Sequence, residues 1–136
     1  MLLCLPSFAS EKQVARDKLP PAVVATMDRE TKDATIRSIC SEYSFRHRMY
    51  EIETIVNGHS RNIRIDPAGK VDEIEEEVPF DSLPIQVQDS LLRKAKGGKL
   101  VKVESVTIKG RIAAYEARVS KDGKVREVRV AHKDQR

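Results

Sequence analysis

The sequence predicts an α+β fold: two tandem helix-plus-antiparallel-strand units, with the helices packed on one face of an antiparallel sheet. Three observations carry this. A Leu-Pro step leads into a helical apolar stripe twice, at Leu19-Pro20 and Leu83-Pro84. Each stripe is followed by runs rich in β-branched residues, parts of which alternate with period two. The pairs Asn57-Gly58 and Asp122-Gly123 each sit between two such runs. They suit type I′ hairpins, whose central residues both need positive φ.

The elements follow in order. Pro20, Val23, Val24 and Met27 form the first helical stripe, which fades near Thr31. Thr35 to Phe45 is the next strand. It does not alternate cleanly, so a bulge or register shift is expected. Tyr50, Ile52, Thr54 and Val56 then alternate with Met49, Glu51, Glu53 and Ile55. Beyond the Asn57-Gly58 turn runs Arg61 to Asp66, and Asp66-Pro67-Ala68-Gly69 is a further turn before a fourth strand over 70–78. In the second unit Pro84 suits the first helical turn, where its missing N–H is not needed. Val87, Leu91, Leu92 and Ala95 continue the stripe, and Gly97-Gly98 ends it. Leu100 to Ile108, a strand around Tyr115-Ala117-Val119, and Val125 to Ala131 complete the unit.

The two halves resemble each other. At an offset of 64, Met27 falls on Leu91, Ile36 on Leu100 and Ile39 on Val103. One inserted residue shifts the offset to 65, after which Tyr50-Glu51 matches Tyr115-Glu116, Arg61 matches Arg126 and Arg64 matches Arg129. An internal duplication is expected, with one unit over 18–78 and the other over 82–132. Inward positions are then Tyr50, Ile52, Ile63, Ile65, Tyr115, Ala117, Val128 and Val130. The opposite sheet face carries Glu51, Glu53, Asn62, Arg64, Glu116, Arg118, Glu127 and Arg129, and is expected to be open to water.

Composition bounds the function. The chain has 136 residues, 40% hydrophobic and 34% charged, with two Cys and no Trp. It has no apolar run long enough to span a bilayer as a helix. It is too apolar for wholesale disorder and too poor in cysteine for a disulfide-dense scaffold. The net charge of +4 hides an asymmetry: residues 93–136 hold 14 basic and 5 acidic residues, a net of +9, whereas residues 1–92 carry a net of −5. Residues 1–9 are apolar and end with Ser7 and Ala9 at the small-residue spacing that a signal peptidase accepts. They read as a truncated signal peptide, which places the mature chain in the periplasm or outside the cell. With Cys4 removed, Cys40 would be the only cysteine and no internal disulfide is expected.

The twice-occurring pattern of Leu-Pro, short helix, Tyr-Glu within a strand, an Asp-Gly type of turn and a charged strand resembles the PepSY-like proteins of bacterial cell envelopes. The segment Asp66-Pro67-Ala68-Gly69-Lys70-Val71, with acidic residues running into the second Leu-Pro, adds to the resemblance. The fold of those proteins is similar to the β-lactamase inhibitor protein. The resemblance implies an exported, non-enzymatic domain that binds protein partners and, in some relatives, restrains peptidases. The inhibitor protein's disulfides and inhibitory loop residues have no counterpart here, so β-lactamase inhibition is not carried over.

The run Asp72-Glu73-Ile74-Glu75-Glu76-Glu77 lacks the spacing of a calcium loop and, on a strand, splits between two faces. A solvated or edge-protecting strand is expected. His47, His59 and His132 are scattered, His59 beside an exposed turn, and no zinc spacing occurs. Cys40 reads as a small strand residue, and Gly97-Gly98-Lys99 lacks the rest of a P-loop. Tyr50 and Tyr115 read as core, and Arg61 and Arg126 as caps of the sheet edge. No cofactor or metal is expected, nor is nucleic acid, since the sheet-facing aromatics read as core rather than stacking platforms. The expected function is a binding module engaging a cell-envelope protein through Glu51, Glu53, Arg64, Glu116, Arg118 and Arg129. The alternative is a polyanion binder using the basic last third.

Overall fold

A computed structural model describes residues 12–44 and 46–133 of the chain, so the expected leader over 1–9 lies outside the described residues. The chain divides into one unit ending at Ile74 and a second beginning at Glu75. The first contains β1 (Lys12–Gln13), a 3-10 turn (Arg16–Lys18), α1 (Pro21–Glu30), β2 (Thr35–Ser44), β3 (His47–Val56), β4 (His59–Ile65) and the start of β5 (Val71–Glu77). The second holds the end of β5, a 3-10 turn (Phe80–Ser82), α2 (Ile85–Ala95), β6 (Lys99–Ile108), β7 (Arg111–Lys121) and β8 (Lys124–Ala131). The strands are ordered as in the chain, from β1 to β8, in antiparallel ladders.

Each helix starts in the same way. Pro20 is the residue just outside α1, and its carbonyl accepts the N–H groups of Val23 and Val24 at 2.9 and 3.1 Å. Pro84 does the same for Val87 and Gln88 at 2.9 and 3.0 Å. It therefore stands one residue before the first turn where the sequence placed it. A proline serves there because its fixed φ is compatible with an extended ψ, and only its carbonyl is required. α2 stops at Lys96, which is itself left-handed at φ 49°, with Gly97 following at φ 81°.

Each helix buries its stripe on the strands of its own unit. Val23 and Met27 of α1 pack with Leu19, Tyr50, Ile52, Ile63 and Ile65. Val87, Leu91 and Ala95 of α2 pack with Leu83, Val103, Tyr115, Ala117, Val119 and Val128. Burying one such aliphatic side chain contributes about 1.5–3 kcal/mol, so these clusters are the main stabilising element of each unit. Of the inward positions expected from sequence, all are buried except Val130, which packs partly against the second core.

The expected irregularity of the two long strands is a register shift at equivalent places. Ile36 pairs with Thr54 but Ser38 pairs with Glu53, leaving Arg37 as an extra residue. Likewise Leu100 pairs with Val119 and Lys102 with Arg118, leaving Val101 spare. A bulge of this kind puts Ile36 and Ile39, three apart, in one phase, which is why alternation fails there. Asn57-Gly58 and Asp122-Gly123 turn with positive φ at both positions. Lys109-Gly110 makes a third hairpin of that kind, at φ 49° and 81°.

Two devices tie helix to sheet. In the turn after β4, the Asp66 carboxylate accepts the N–H groups of Ala68 and Lys70, both at 2.9 Å. This presents the Gly69 carbonyl to the Thr26 hydroxyl of α1. At the other end of α1, Arg61 donates to the Glu30 carbonyl at 3.2 Å and to its carboxylate at 3.3 Å. Arg126 donates to the Lys94 carbonyl of α2 at 2.7 Å. The sequence assigned both arginines to the sheet edge. They instead satisfy the orphan carbonyls that every helix leaves at its C-terminus.

Two further expectations are corrected. Cys40 is 2% exposed and is held in a disulfide whose other half lies outside the described residues, so it is not a lone strand thiol. The acidic run is not an edge. Asp72 and Glu73 are drawn onto Arg64, while Ser105 donates to the Glu76 carbonyl at 3.5 Å and Val78 N–H to Val103 at 2.9 Å. Every residue of β5 is half-buried, because strand pairing removes the open side that an edge strand would show.

Candidate functional site

The six site residues expected from sequence lie on the sheet faces opposite the helices, three of them in each unit. Strand alternation places them there, because their neighbours Tyr50, Ile52, Ile63, Tyr115, Ala117 and Val128 point into the cores.

In the first unit Glu51 stands opposite Cys40 on one side and Arg64 on the other, and Glu53 stands between Ser38 and Asn62. Arg64 is the centre of this face. Its Nε and Nη2 donate to Asp72 at 3.0 and 2.7 Å, Nη2 also reaches Glu73 at 3.1 Å, and Nη1 lies 3.8 Å from Glu42. Burial opposes the guanidinium charge. The Asp72 hydrogen bond and the fields of Glu73, Asp72 and Glu42 outweigh that opposition and hold its pKa above the ordinary value.

In the second unit the ladder runs Glu104–Glu116–Arg129 and, beside it, Lys102–Arg118–Glu127. Arg129 donates to Glu116 at 2.8 Å, and Lys102 Nζ lies 3.6 Å from Glu104 Oε2. That Glu104 oxygen is buried and accepts no hydrogen bond. Burial raises the Glu104 pKa, with Lys102 pulling the other way. Glu116 is pushed up to about 7, first by burial and then by its hydrogen bond to Glu127 and the Glu127 charge, with Arg129 opposing.

These faces are not the open surface expected. Ser38, Cys40, Glu42 and Met49 are buried on the first, and Glu104, Val106, Ala114 and Glu116 on the second. Long cationic side chains lying over carboxylates account for part of this cover. The sequence therefore placed Glu116 correctly in phase but not in environment. It missed Glu42, Asp72, Lys102 and Glu104 altogether. Their only signal was charge in outward phase, and the bulges shift that phase in β2 and β6.

The pH dependence follows from Glu116. Its folded pKa of about 7 exceeds that of an unfolded glutamate, near 4.5. The folded state keeps a proton that the unfolded chain loses, so stability falls as pH rises from about 4.5 to about 7 and then levels off. Glu116→Gln keeps an acceptor for Arg129 and removes the charge. The variant is expected to be more stable than the parent at pH 8, by about 1 kcal/mol after solvent screening, and equal to it near pH 4. Urea melts across that range check it. A parent–variant difference that does not change with pH would assign the titration elsewhere.

No group of three or more His, Cys, Asp or Glu side chains is placed to hold a metal ion among the described residues. His59 is half-buried rather than exposed, and the His132 ring meets Tyr115 edge-on at 6.0 Å. A cleft of about 620 Å³ at the start of α1, lined by Arg16, Asp17, Leu19, Pro21 and Val24, contains none of the six residues. Several cations of the basic last third are engaged internally: Lys121 and Arg126 donate to helix-end carbonyls, and Lys102 and Arg129 face carboxylates.

An antiparallel sheet with one helix packed against the strands of each unit is an α+β fold of the β-lactamase-inhibitor-like kind. Solved structures share that fold. A DUF2874 family protein from Bacteroides ovatus matches with a TM-score of 0.58 at 16% identity, over 83% of this chain and 89% of that one. A BLIP-like protein from Bacteroides fragilis matches with a TM-score of 0.54 at 16% identity, over 87% and 92%. A candidate periplasmic protein from Bacteroides eggerthii matches with a TM-score of 0.59 at 15% identity, over 82% and 88%. No family model and no curated protein matches the chain. No helix among the described residues is long and apolar enough to cross a membrane.

Proposed function

We propose that the chain is an exported, non-enzymatic binding module whose helix-free sheet faces hold a protein partner in the cell envelope, in the manner of a restraining subunit for an enzyme such as a peptidase. The observation that supports this best is the state of the charged side chains. Cross-strand ion pairs fix Arg64 and Glu116 in place before any partner arrives, so little side-chain entropy is lost on binding. Charges held in this way select a complementary surface and reject others. The periplasmic setting of the Bacteroides eggerthii protein and the BLIP-like fold support the envelope and the protein partner. The correspondence of Arg61–Glu30 with Arg126–Lys94, at the offsets of 65 and 64, supports reading the two units as copies of one ancestral unit.

Arg64 and Arg129 are poor test positions, because reversing either would set like charges against buried carboxylates. Glu53 and Arg118 are half-exposed and lie outside the mapped ion pairs. Glu53→Lys with Arg118→Gln, which sets no new carboxylate against Glu127 or the buried Glu104, is expected to reduce cross-linking to the envelope partner at least about tenfold while shifting the melting temperature little. Equal cross-linking by the folded double variant would remove these faces from the binding site.

A further inference from the structure

β8 is the last strand in the order and bonds to β7 on one side. Its ladder runs without a register shift from Lys124 to Ala131, and it contains no proline. Parity fixes which of its backbone groups face the other side. Lys121 and Lys124 close the two-residue Asp122-Gly123 turn, and the His132 N–H donates to the Ala113 carbonyl of β7 at 2.9 Å. In an antiparallel ladder a residue turns its N–H and its C=O to the same side, and successive residues alternate. The even-numbered residues of β8 therefore bond to β7, while Val125, Glu127, Arg129 and Ala131 direct their N–H and C=O groups to the open side. All four are exposed, Val125 by 63%. A straight open edge of this length is a template for another strand.

The residues of the edge select its occupant. A second copy of β8, lying antiparallel, must pair odd-numbered residues with odd-numbered ones, because only these have groups on the open side. Centred on Val128, that pairing sets Glu127 against Arg129 of the second copy and Arg129 against its Glu127, with Val125 against Ala131 at both ends. Opposite charges and apolar pairs directly across from each other stabilise a sheet. The next allowed register in either direction puts Glu127 on Glu127 or Arg129 on Arg129, and like charges there repel. The helices leave room for the pairing. α2 packs on Val103 of β6 and on Tyr115 and Ala117 of β7 as well as on Val128, which centres it near β7. Across a two-fold axis the two β7 strands would stand three strand spacings apart, about 14 Å, and packed helices need only about 8–10 Å. Lys94 donates to the Arg129 carbonyl, whose second lone pair stays available to an incoming N–H.

We infer that β8 pairs with β8 of a second copy of this chain, about a two-fold axis through Val128. The same surface serves both copies, so the contact closes on a dimer and covers the β8 edge of each. A foreign extended peptide could satisfy the same backbone groups. The self-complementary order of Val125, Glu127, Arg129 and Ala131 decides for the second copy. The charges on the strand then act as a filter, admitting one register and repelling its neighbours. This pairing does not rest on the sheet-face partner proposed above, and either can fail alone.

Sedimentation velocity on the full chain, over a range of concentrations, is expected to show a monomer–dimer equilibrium. Glu127→Lys sets cations opposite each other, and Ala131→Pro removes an N–H that faces away from β7. Each should weaken the dimer at least about tenfold. Glu127→Gln serves if Glu127→Lys does not fold, and Glu53→Lys in the first unit should dimerise as the parent does. Val125→Cys with Ala131→Cys reports the register. Hydrogen-bonded antiparallel partners stand about 5.5 Å apart, within reach of a disulfide, whereas the two new cysteines of one chain are about 20 Å apart. Oxidation should give a covalent dimer from the double cysteine variant and none from Val125→Cys alone. A monomer at every concentration, a dimer unchanged by the folded edge variants, or no cross-link from the double cysteine variant would overturn the inference. So would a monomer that takes up a synthetic alternating Glu-Val peptide and loses it on Ala131→Pro, since the edge would then belong to a foreign strand.

Discussion

Gly69→Ala is expected to destabilise the first unit by about 3 kcal/mol, seen as a lower midpoint in urea unfolding. Two causes add. Gly69 has φ +87°, which an L side chain rarely adopts. A Cβ there would also stand 2.5 Å from the backbone carbonyl oxygen of Ala22, and a helix backbone cannot give way as a flexible side chain can. The first turns of α1 would have to move off the turn, taking Thr26 away from the Gly69 carbonyl. Gly58 isolates the first cause from the second. It has φ +83° with nothing within 4 Å of the built Cβ, so Gly58→Ala should cost only about 1 kcal/mol. Equal costs at the two positions would mean that the approach of α1 to the turn is not what requires glycine at 69.

Leu91→Ala is expected to cost the second unit about 2–5 kcal/mol. Leu91 is fully buried among Val87, Ala95, Ala117 and Val119, where the surroundings can collapse only partly into the space left. Its neighbour Leu92 is 51% exposed, and Leu92→Ala should stay within about 0.5 kcal/mol. Thermal unfolding of the pair measures how far α2 is held by its buried stripe rather than by helix propensity. Similar losses at 91 and 92 would contradict the placement of that stripe.

What could be read from the residues alone was whatever depends on short-range pattern. The Leu-Pro steps, the period-two segments around Tyr50 and Tyr115, and the Asn-Gly and Asp-Gly turns each encode local geometry, and each element occurs within a few residues of where it was expected. The irregularity of β2 and β6 was also legible, as a loss of alternation. Its consequence was not. Which outward residues meet across strands depends on register, and so the Glu104–Glu116 and Arg64–Asp72 neighbours could not be paired in advance. Lys109-Gly110 escaped because lysine at the first turn position gives none of the usual Asn or Asp signal. The roles of Arg61 and Arg126 escaped for a different reason. A residue beside a turn reveals its strand phase, but not that a helix end lies within reach of its guanidinium.

The spare residues Arg37 and Val101 work as one-residue spacers between helix and ladder. From Ser38 onward β2 is fixed by its partners in β3, and from Lys102 onward β6 by its partners in β7. Deleting Arg37 would leave that ladder in place and turn over the two residues before it, so the connection from α1 would arrive half a pleat out of phase. Deleting Val101 would do the same to Lys99 and Leu100, lifting Leu100 off the second core. In each unit the helix therefore meets its sheet through a linkage whose length is set to a single residue. Insertions and deletions tolerated at the hairpin tips would not be tolerated there.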